Sequence, residues 1–254
     1  CSAPTFLKNI LLFAKEYDVS SVRMVISGAE KATDELLSTL KTSCPNAQFV
    51  EGYGITECSP ILSANASGDR SKGVGKALEG ISLLIVDPEN FENTRGPGVS
   101  GLILASGPNV FSGYLNKGIH DPFVELHGQK WYQTGDLGML DADQNLILSG
   151  RLKRFIKLGG EMISLAAIEE VLSQQTDASL EDFAVVTEGD VLGKVALVLF
   201  TTKNLQPQEV NLILRKGGLS GLVKIDRVIV LEAIPQTATG KVAYRQLDKL
   251  LQPK

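Results

Sequence analysis

One short run of basic and apolar residues, from Gly150 to Glu161, constrains the fold of this chain more than any other feature. It mixes four cations with four apolar side chains, which are Arg151, Lys153, Arg154 and Lys157 with Leu152, Phe155, Ile156 and Leu158. A purely solvated charged surface would not carry so many apolar residues. Gly150, Gly159 and Gly160 flank the run, and glycine tolerates unusual backbone angles and lets a ligand approach the main chain closely. The pattern predicts a phosphate-binding joint that divides the chain into two parts.

The charge balance differs on the two sides of this joint. Residues 1–150 carry 11 Lys and Arg against 17 Asp and Glu, whereas residues 151–254 carry 14 against 12. The whole chain of 254 residues has a net charge of −4, which argues against a general nucleic-acid binder. A hydrophobic content of 43% predicts one large or two smaller globular domains. The C-terminal part is the better docking surface for an acidic partner.

The cysteines and histidines exclude two kinds of metal or redox site. Cys1, Cys44 and Cys58 have no paired spacing, so neither a disulfide framework nor a zinc knuckle is expected, and a reducing cytoplasmic location fits. The two histidines, His120 and His127, lack the partners of a metal site. No apolar run approaches the ~18 residues of a membrane span and no signal peptide is visible. The start at Cys1 predicts a fragment of a longer protein.

The hydrophobic periodicity predicts a parallel sheet near the N-terminus. Residues 4–17 have the pattern of an amphipathic helix with Leu7, Ile10, Leu11 and Ala14 on one face. A short buried strand over residues 22–26 is followed by a helix that Thr33 caps, and by a second strand over residues 47–53. Strand, helix and strand in this order place ligand sites at the carboxyl ends of the strands.

The sequence pattern predicts two further regions after the α/β segment, each with a different secondary structure. After the α/β segment at residues 1–65, short apolar runs separated by Gly, Pro, Asn and Asp predict a small β-rich subdomain over residues 66–150, with a hairpin turn at Asp141 to Asn145. Residues 151–254 are predicted to form a compact α+β domain. Its elements are a helix capped by Ser164, strands at 182–187 and 195–200, a helix near 207–215, a strand at 224–230 and a helix from about 242.

The segment from Tyr53 to Glu57 offers a nucleotide site directly after a predicted strand. The Tyr53 ring can stack on a base, the Thr56 hydroxyl can reach a phosphate, and Glu57 can hold Mg²⁺. An ordinary strand-to-loop turn is the alternative interpretation.

Two further motifs each leave a functional and a structural interpretation open. Asp136 follows a predicted glycine turn at Thr134 and Gly135, where a carboxylate can accept hydrogen bonds from a ribose diol or can simply form the turn. Lys241 ends a loop that begins at Pro235, where it is either a point charge for a carboxylate or phosphate or an incidental lysine at a helix start. The loop is not a Walker A motif, since Pro and Val stand where that motif needs Gly and Ser or Thr.

The order of six short motifs resembles the adenylate-forming superfamily, which includes acyl-CoA synthetases, luciferases and peptide-synthetase adenylation domains. These motifs are Gly28-Ala29-Glu30, Tyr53 to Glu57, Thr134-Gly135-Asp136, Gly150 to Lys153, Gly159-Gly160-Glu161 and Gly240-Lys241. The resemblance covers nearly the whole chain. It implies that residues 1–150 are the C-terminal part of a large adenylation domain and that residues 151–254 are a mobile C-terminal domain. The family's Ser/Thr/Gly-rich phosphate loop is absent upstream of Gly28, so most of the large domain is expected to be missing.

The resemblance also implies a role for each motif. Gly28, Ala29 and Glu30 would line the adenine pocket with Tyr53 and Gly54, while Thr56 would contact the α-phosphate and Glu57 the Mg²⁺ ion. Asp136 would hold the ribose with help from Arg151, Lys153 would be the hinge, and Lys241 would reach the substrate carboxylate and α-phosphate. Lys157, Gly159 and Gly160 would line the path of a pantetheine thiol.

A narrower resemblance concerns the acceptor of the acyl group. The segments from Gly150 to Phe155, Gly160 to Leu165 and Leu197 to Thr202 are similar to the synthetase part of bacterial bifunctional acyltransferase/acyl-carrier-protein synthetases. That implies ATP, Mg²⁺, a fatty acid and acyl carrier protein as cofactors and partners, a link to 2-acylglycerophosphoethanolamine acylation, and possible peripheral association of the full-length protein with the inner membrane. Coenzyme A as acceptor and a non-catalytic nucleotide- or carrier-binding module are the alternatives. We expect the isolated fragment to be inactive.

Overall fold

The computed structural model describes residues 1–65, 69, 72–116, 121–189, 195–237 and 240–251 of the chain. His120, and Ala238 and Thr239 of the loop before Lys241, lie outside these residues. The chain divides into two compact units, Cys1–Leu152 and Lys153–Lys254. Within the described residues no helix is both long and apolar enough to cross a membrane.

The first sheet of the first unit contains the parallel strand pair that the sequence predicts. Its elements in chain order are α1 (Pro4–Phe13), β1 (Met24–Gly28), α2 (Asp34–Ser43), β2 (Gln48–Tyr53), β3 (Ser63–Asn65) and β4 (Lys76–Ala77). β1 pairs with β2 in parallel, from Met24 opposite Gln48 to Gly28 opposite Gly52, and the strand order is β1-β2-β3-β4. The predicted cap is also confirmed, because the Thr33 hydroxyl accepts a hydrogen bond from the Leu36 amide at 3.2 Å.

Two details of this region differ from the prediction. α1 ends at Phe13 and a 3-10 turn follows, while Leu7 and Leu11 are buried and Ile10 is 58% exposed. The helix is apolar on several sides, so its periodicity is compatible with more than one buried face and the contacts with α2 select one. The strand predicted at residues 22–26 begins at Met24, and its one buried residue is Ser27.

The second sheet of the first unit is antiparallel and contains a long strand that the sequence analysis missed. Its strands are β5 (Ser82–Val86), β6 (Gly101–Ser106), β7 (Phe123–Leu126), β8 (Gln129–Leu140) and β9 (Leu146–Arg151). They follow the order β5-β6-β8-β7, with β9 also paired to β8. The predicted turn between β8 and β9 is confirmed, since the Asp141 carboxylate accepts hydrogen bonds from the Asn145 amide at 2.7 Å and side chain at 2.8 Å.

The glycine turn predicted at Thr134 to Asp136 is wrong. These residues continue β8 as a bulge, because the pairing with β6 jumps from Gln133 opposite Leu104 to Leu137 opposite Leu102. Gly135 has φ +73°, a left-handed angle that glycine adopts at little cost and that lets the extra residues leave the ladder. The strand therefore continues to Leu140 and sets Asp136 opposite Arg151 of β9.

The second unit has a three-stranded sheet buried on both faces. Its elements are β10 (Phe155–Leu158), β11 (Glu161–Ser164), α3 (Leu165–Thr176), β12 (Phe183–Gly189), β13 (Val195–Thr201), α4 (Pro207–Lys216), β14 (Ile225–Val230) and α5 (Tyr244–Leu251). Phe183 and Val185 of β12 pack in one core with residues of α3 and α4, and Ala184 and Val186 pack in another with Leu247 of α5. The predicted Ser164 cap is confirmed, because the Ser164 hydroxyl accepts a hydrogen bond from the Ala167 amide at 3.2 Å.

The basic run adopts three backbone conformations. Its first residues end β9, Leu152–Arg154 form a 3-10 turn, and the remainder is the β10–β11 hairpin. Gly159 and Gly160 form the two-residue hairpin loop with φ values of +55° and +90°, and a type I′ hairpin turn requires positive φ at both positions. The division between the two units falls between Leu152 and Lys153.

Candidate functional site

The end of one strand and a bulge within another, from the two sheets of the first unit, bring Tyr53 and Asp136 together. Tyr53 is the last residue of β2 and Asp136 lies in the bulge of β8, and both are buried. The Tyr53 hydroxyl donates a hydrogen bond to Asp136 Oδ2 at 2.8 Å. Their sequence positions alone gave no indication of this contact, although both residues were predicted separately as nucleotide-binding.

The electrostatics of this pair favour a protonated tyrosine that donates to the Asp136 carboxylate. Burial raises the pKa of the Asp136 carboxyl, while the hydrogen bond from Tyr53 and the charge of Arg151 oppose that shift. Burial, followed by the negative charge of Asp136, raises the pKa of Tyr53, so its hydroxyl remains a donor. Arg151 Nε lies 3.4 Å from Asp136 Oδ1, and the Arg151 side chain is 72% exposed.

The bulge of β8 also fixes the backbone at Asp136. The Thr134 hydroxyl donates to the Ile103 carbonyl oxygen at 2.7 Å and accepts from the Asp136 amide at 3.1 Å. An ionised carboxylate offers about four lone-pair sites, of which the protein contacts use part. The remaining acceptor sites of Asp136 therefore fit the diol of a ribose, whose hydroxyls donate and need acceptors in a fixed position.

Glu57 lies in a 3-10 turn, Thr56–Cys58, that follows β2. The turn requires glycine at position 54, because a Cβ there would overlap the Pro60 carbonyl oxygen. Thr56 is exposed, and Glu57 Oε1 accepts a hydrogen bond from the Tyr114 hydroxyl at 2.8 Å. Tyr114 was not predicted, and no signal short of the tertiary structure links it to Glu57.

The carboxylate of Glu57 fits only one kind of magnesium site. Over the part of the chain that the structure describes, no group of three or more His, Cys, Asp or Glu side chains could hold a metal ion. Mg²⁺ is commonly bound by one or two carboxylates together with substrate phosphates and water rather than by an all-protein cage. Glu57 thus fits as a ligand that is shared with a bound nucleotide.

The Gly28 to Glu30 motif lies at the end of β1, next to β2. A Cβ on Gly28 would come within 2.7 Å of the Gly52 carbonyl oxygen, and Ala29 has a left-handed φ of +70°. Glu30 Oε2 accepts hydrogen bonds from the Thr5 hydroxyl at 2.7 Å and the Thr5 amide at 3.3 Å. The Glu30 carboxylate therefore links this turn to the start of α1.

The other predicted residues belong to the second unit. Lys157 and Gly159 line a pocket of about 420 Å³, and Gly160 lies beside it in the hairpin loop. The remaining residues that line the pocket are Leu158, Val195, Leu197, Leu222, Lys224 and Asp226. Lys224 and Asp226 were not predicted, because nothing in the sequence separates them from ordinary residues at the start of a strand.

Lys241 lies three residues before the start of α5. Its carbonyl oxygen accepts from the Thr237 amide at 2.7 Å and its amide donates to the Thr237 hydroxyl at 3.2 Å. Gln236 and Val242 form an antiparallel bridge just outside this pair. Lys241 is thus an exposed lysine whose backbone is hydrogen-bonded to Thr237.

The inclusion of Arg154 among the phosphate-binding cations is wrong. Its guanidinium pairs with Glu169 Oε1 at 2.6 Å, donates to the Val185 carbonyl oxygen at 2.6 Å, and lies 4.0 Å from the centre of the Tyr244 ring. The Arg154 side chain is 17% exposed, so it is part of the core of the second unit. The sequence held one overlooked signal, since Glu169 lies four residues after Leu165 on the buried stripe of α3.

Comparisons with known proteins agree with the motif order. Residues 1–115 match the AMP-binding enzyme family. A 4-coumarate–CoA ligase of Glycine max is 32% identical over 244 residues, covering 91% of this chain and 81% of that protein. A second ligase of this kind, from Oryza sativa subsp. japonica, is 30% identical over 250 residues, covering 92% of this chain and 42% of that protein.

The same relationship holds at the level of structure. The O-succinylbenzoate coenzyme A synthetase of Bacillus subtilis, solved with AMP, matches with a TM-score of 0.72 and 25% identity, over 97% of this chain and 50% of that one. The chain spans between 42% and 45% of the length of the first curated relatives that it matches. On its sequence, its motifs and its mixed α/β fold, the chain belongs to the AMP-binding, adenylate-forming enzyme family.

Proposed function

We propose that this chain supplies the C-terminal part of an ATP-dependent acid–thiol ligase, which joins a carboxylic acid to coenzyme A. The observation that carries the proposal is the buried Tyr53–Asp136 pair, with Arg151 beside it, where motifs of this family meet in the first unit. Further support comes from the share of the relatives that the chain covers, which leaves room for a preceding part of the same polypeptide.

In this proposal the first unit holds the nucleotide. Asp136 accepts hydrogen bonds from the ribose hydroxyls, with Arg151 beside it, while the Tyr53 ring and the Gly28 to Glu30 turn border the adenine. Thr56 donates to the α-phosphate and Glu57 binds Mg²⁺. The bound ion neutralises negative charge on the phosphates. Gly54 allows the loop to turn tightly between these contacts.

Lys241 acts in the first half-reaction. An oxygen of the substrate carboxylate attacks the α-phosphorus of ATP, the bond to the β-phosphate oxygen breaks, and pyrophosphate leaves with the bonding electrons. Negative charge builds up at the α-phosphate, and the Lys241 ammonium group stabilises it. The product is an acyl-adenylate.

The second half-reaction transfers the acyl group to a thiol. The thiolate attacks the acyl carbonyl carbon, the bond to the AMP oxygen breaks, and AMP leaves as the thioester forms. We infer that the second unit rotates about Lys153 between the two steps, so that Lys157, Gly159 and Gly160 replace Lys241. The division of the chain between Leu152 and Lys153 supports this position for the hinge.

Coenzyme A is a better supported acceptor than acyl carrier protein. The curated relatives are CoA ligases, and the solved neighbour with AMP is a coenzyme A synthetase. Transfer of a fatty acid to acyl carrier protein, and a link to phospholipid acylation, rest on the narrower motif resemblance alone. The pantetheine arm is common to both acceptors, which is why the residues predicted for the thiol path do not separate them.

The test uses the complete polypeptide that carries this chain. We expect acid-dependent exchange of pyrophosphate into ATP, followed by thioester formation with coenzyme A and not with pantetheine-loaded acyl carrier protein. Lys241→Ala should abolish the exchange and spare thioester formation from a synthetic acyl-adenylate. Lys249→Ala, an exposed lysine of α5, is the matched control and should retain both steps.

Three results would contradict the proposal. Near-normal pyrophosphate exchange by Lys241→Ala would remove Lys241 from the adenylation step. Acylation of the carrier protein in place of coenzyme A would restore the first acceptor hypothesis. An inactive wild-type polypeptide that still binds ATP would favour a nucleotide-binding module.

A further inference from the structure

The segment of residues 107–114, between β6 and β7, binds the loop that carries Glu57. We call it the clamp segment. The Asn109 side-chain amide donates to the Cys58 carbonyl oxygen at 2.6 Å and to the Ile61 carbonyl oxygen at 3.1 Å. The Phe111 amide donates to the Glu57 carbonyl oxygen at 2.8 Å. The clamp segment thus holds the backbone of the Glu57 loop at three carbonyl groups, those of Glu57, Cys58 and Ile61.

One further contact reaches the Glu57 side chain. The Tyr114 hydroxyl donates to Glu57 Oε1 at 2.8 Å, and no other described residue hydrogen-bonds this carboxylate. The hydroxyl is the donor in this contact, because an ionised carboxylate can only accept. Tyr114 is 40% exposed, so the contact lies at the surface of the first unit.

Aromatic packing fixes the Tyr114 ring from the other side. The Tyr114 and Phe111 rings meet edge to face with centroids 4.9 Å apart, and Phe111 in turn meets the Tyr132 ring at 5.5 Å. Tyr132 belongs to β8, four residues before Asp136. The direction of the Tyr114 hydroxyl is therefore set by the same strand that carries the predicted ribose-binding carboxylate.

We propose that Tyr114 is a positioning residue that holds Oε1 of Glu57 and leaves Oε2 to bind the divalent cation that accompanies ATP. This inference rests on the proposed function, in which Glu57 is the protein ligand of that cation. Partners that hold a metal-binding side chain in place typically contribute 10- to 100-fold to metal affinity. The contacts of Asn109 and Phe111 with the backbone of the Glu57 loop do not involve the Tyr114 hydroxyl. Removal of this hydroxyl should therefore leave the Glu57 loop in place.

The test measures cation binding directly in the complete polypeptide that carries this chain. Mn²⁺ replaces Mg²⁺, and electron paramagnetic resonance gives its dissociation constant in the presence of saturating ATP. Tyr114→Phe keeps the ring packing and should weaken Mn²⁺ binding about 10-fold. Tyr17→Phe, an exposed tyrosine outside the clamp segment, is the matched control and should bind as the wild type does.

A double-mutant cycle with Glu57→Gln separates positioning from a general structural effect. We expect the double variant to bind Mn²⁺ as weakly as Glu57→Gln alone, and hydrogen exchange at the Phe111 amide to be unchanged in Tyr114→Phe. Three results would each overturn the inference. They are an unchanged Mn²⁺ affinity in Tyr114→Phe, independent effects of the two substitutions on the Mn²⁺ dissociation constant, and faster hydrogen exchange at the Phe111 amide. If Glu57→Gln itself binds Mn²⁺ normally, the proposed metal role of Glu57 fails as well.

Discussion

Two arginines of one basic run make ion pairs of opposite character. Arg151 ends β9 and lies with its Nε 3.4 Å from Asp136, with 72% of its side chain exposed. Arg154, three residues later, meets Glu169 at 2.6 Å with 17% of its side chain exposed. The two residues are chemically identical and nearly adjacent in the sequence, but one lies at the predicted nucleotide site and the other lies in the core.

The number of partners explains the difference. Glu169 is satisfied by Arg154, by the Val185 amide at 2.6 Å and by the Tyr244 hydroxyl at 3.3 Å, so the buried charges are hydrogen-bonded within the second unit. Asp136 has one short hydrogen bond, from Tyr53, and a longer contact with an exposed arginine. A satisfied buried pair maintains a fold, whereas a partly satisfied one retains acceptors for a ligand.

The largest effect is expected when the buried pair is broken. Glu169→Ala leaves the Arg154 guanidinium buried without its carboxylate and should lower the free energy of unfolding by about 3–5 kcal/mol. Denaturant unfolding of the chain measures the change. Glu170→Ala, an exposed glutamate on the same helix, is the matched control and should change stability by less than about 0.5 kcal/mol. Equal decreases in the free energy of unfolding in the two variants would show that the Arg154–Glu169 pair does not stabilise the fold more than an exposed glutamate does.

A smaller effect is expected when the aromatic partner of the buried pair loses only its hydroxyl. Tyr244→Phe keeps the ring over Arg154 but removes the bonds of 3.3 and 3.4 Å to Glu169, which should cost about 0.5–1.5 kcal/mol. Tyr17→Phe, which alters an exposed tyrosine, is the control in the same unfolding assay. A loss as large as that of Glu169→Ala would mean that the hydroxyl, rather than the ion pair, satisfies the buried carboxylate.

The smallest effect on stability is expected for the exposed pair. Arg151→Ala should change the free energy of unfolding by less than about 1 kcal/mol, because exposed ion pairs contribute little. Its consequence is better measured through pH. The charge of Arg151 lowers the pKa of Asp136 against the effect of burial, so its removal should raise that pKa further.

The sign of the pH effect follows from the form of Asp136 that binds. Ribose binding needs the ionised carboxylate, so nucleotide affinity falls as pH falls through the raised pKa, and in Arg151→Ala this fall should begin at higher pH. The free energy of unfolding has the opposite pH dependence. A carboxyl such as Asp136, whose pKa is raised in the folded state, contributes stability at low pH, and this contribution is lost as pH rises through the raised pKa. Calorimetric ATP titrations at several pH values measure the shift, with Arg23→Ala as control. A binding profile that does not move would remove Arg151 from the site.

Local signals made several parts of the structure predictable. Thr33 and Ser164 cap helices through their own hydroxyls, and the strand that ends at Tyr53 is marked by its apolar pattern, because these features depend on neighbours within a few residues. At Gly135 the sequence predicts a turn, whereas the structure has a bulge. A left-handed glycine is compatible with both structures, and only the pairing of β8 with β6 and β9 distinguishes them.

The sequence by itself determined the family, through the order of its motifs, and most helices and strands, through periodicity and caps. The tertiary structure alone decided that Tyr53 meets Asp136 across 83 positions, that Tyr114 holds Glu57 across 57, and that Arg154 is a core residue. Contacts of this kind depend on how sheets pack and which side chains become buried. Burial is a property of the whole fold, and it sets both the pKa of a carboxylate and whether an arginine remains available to a ligand.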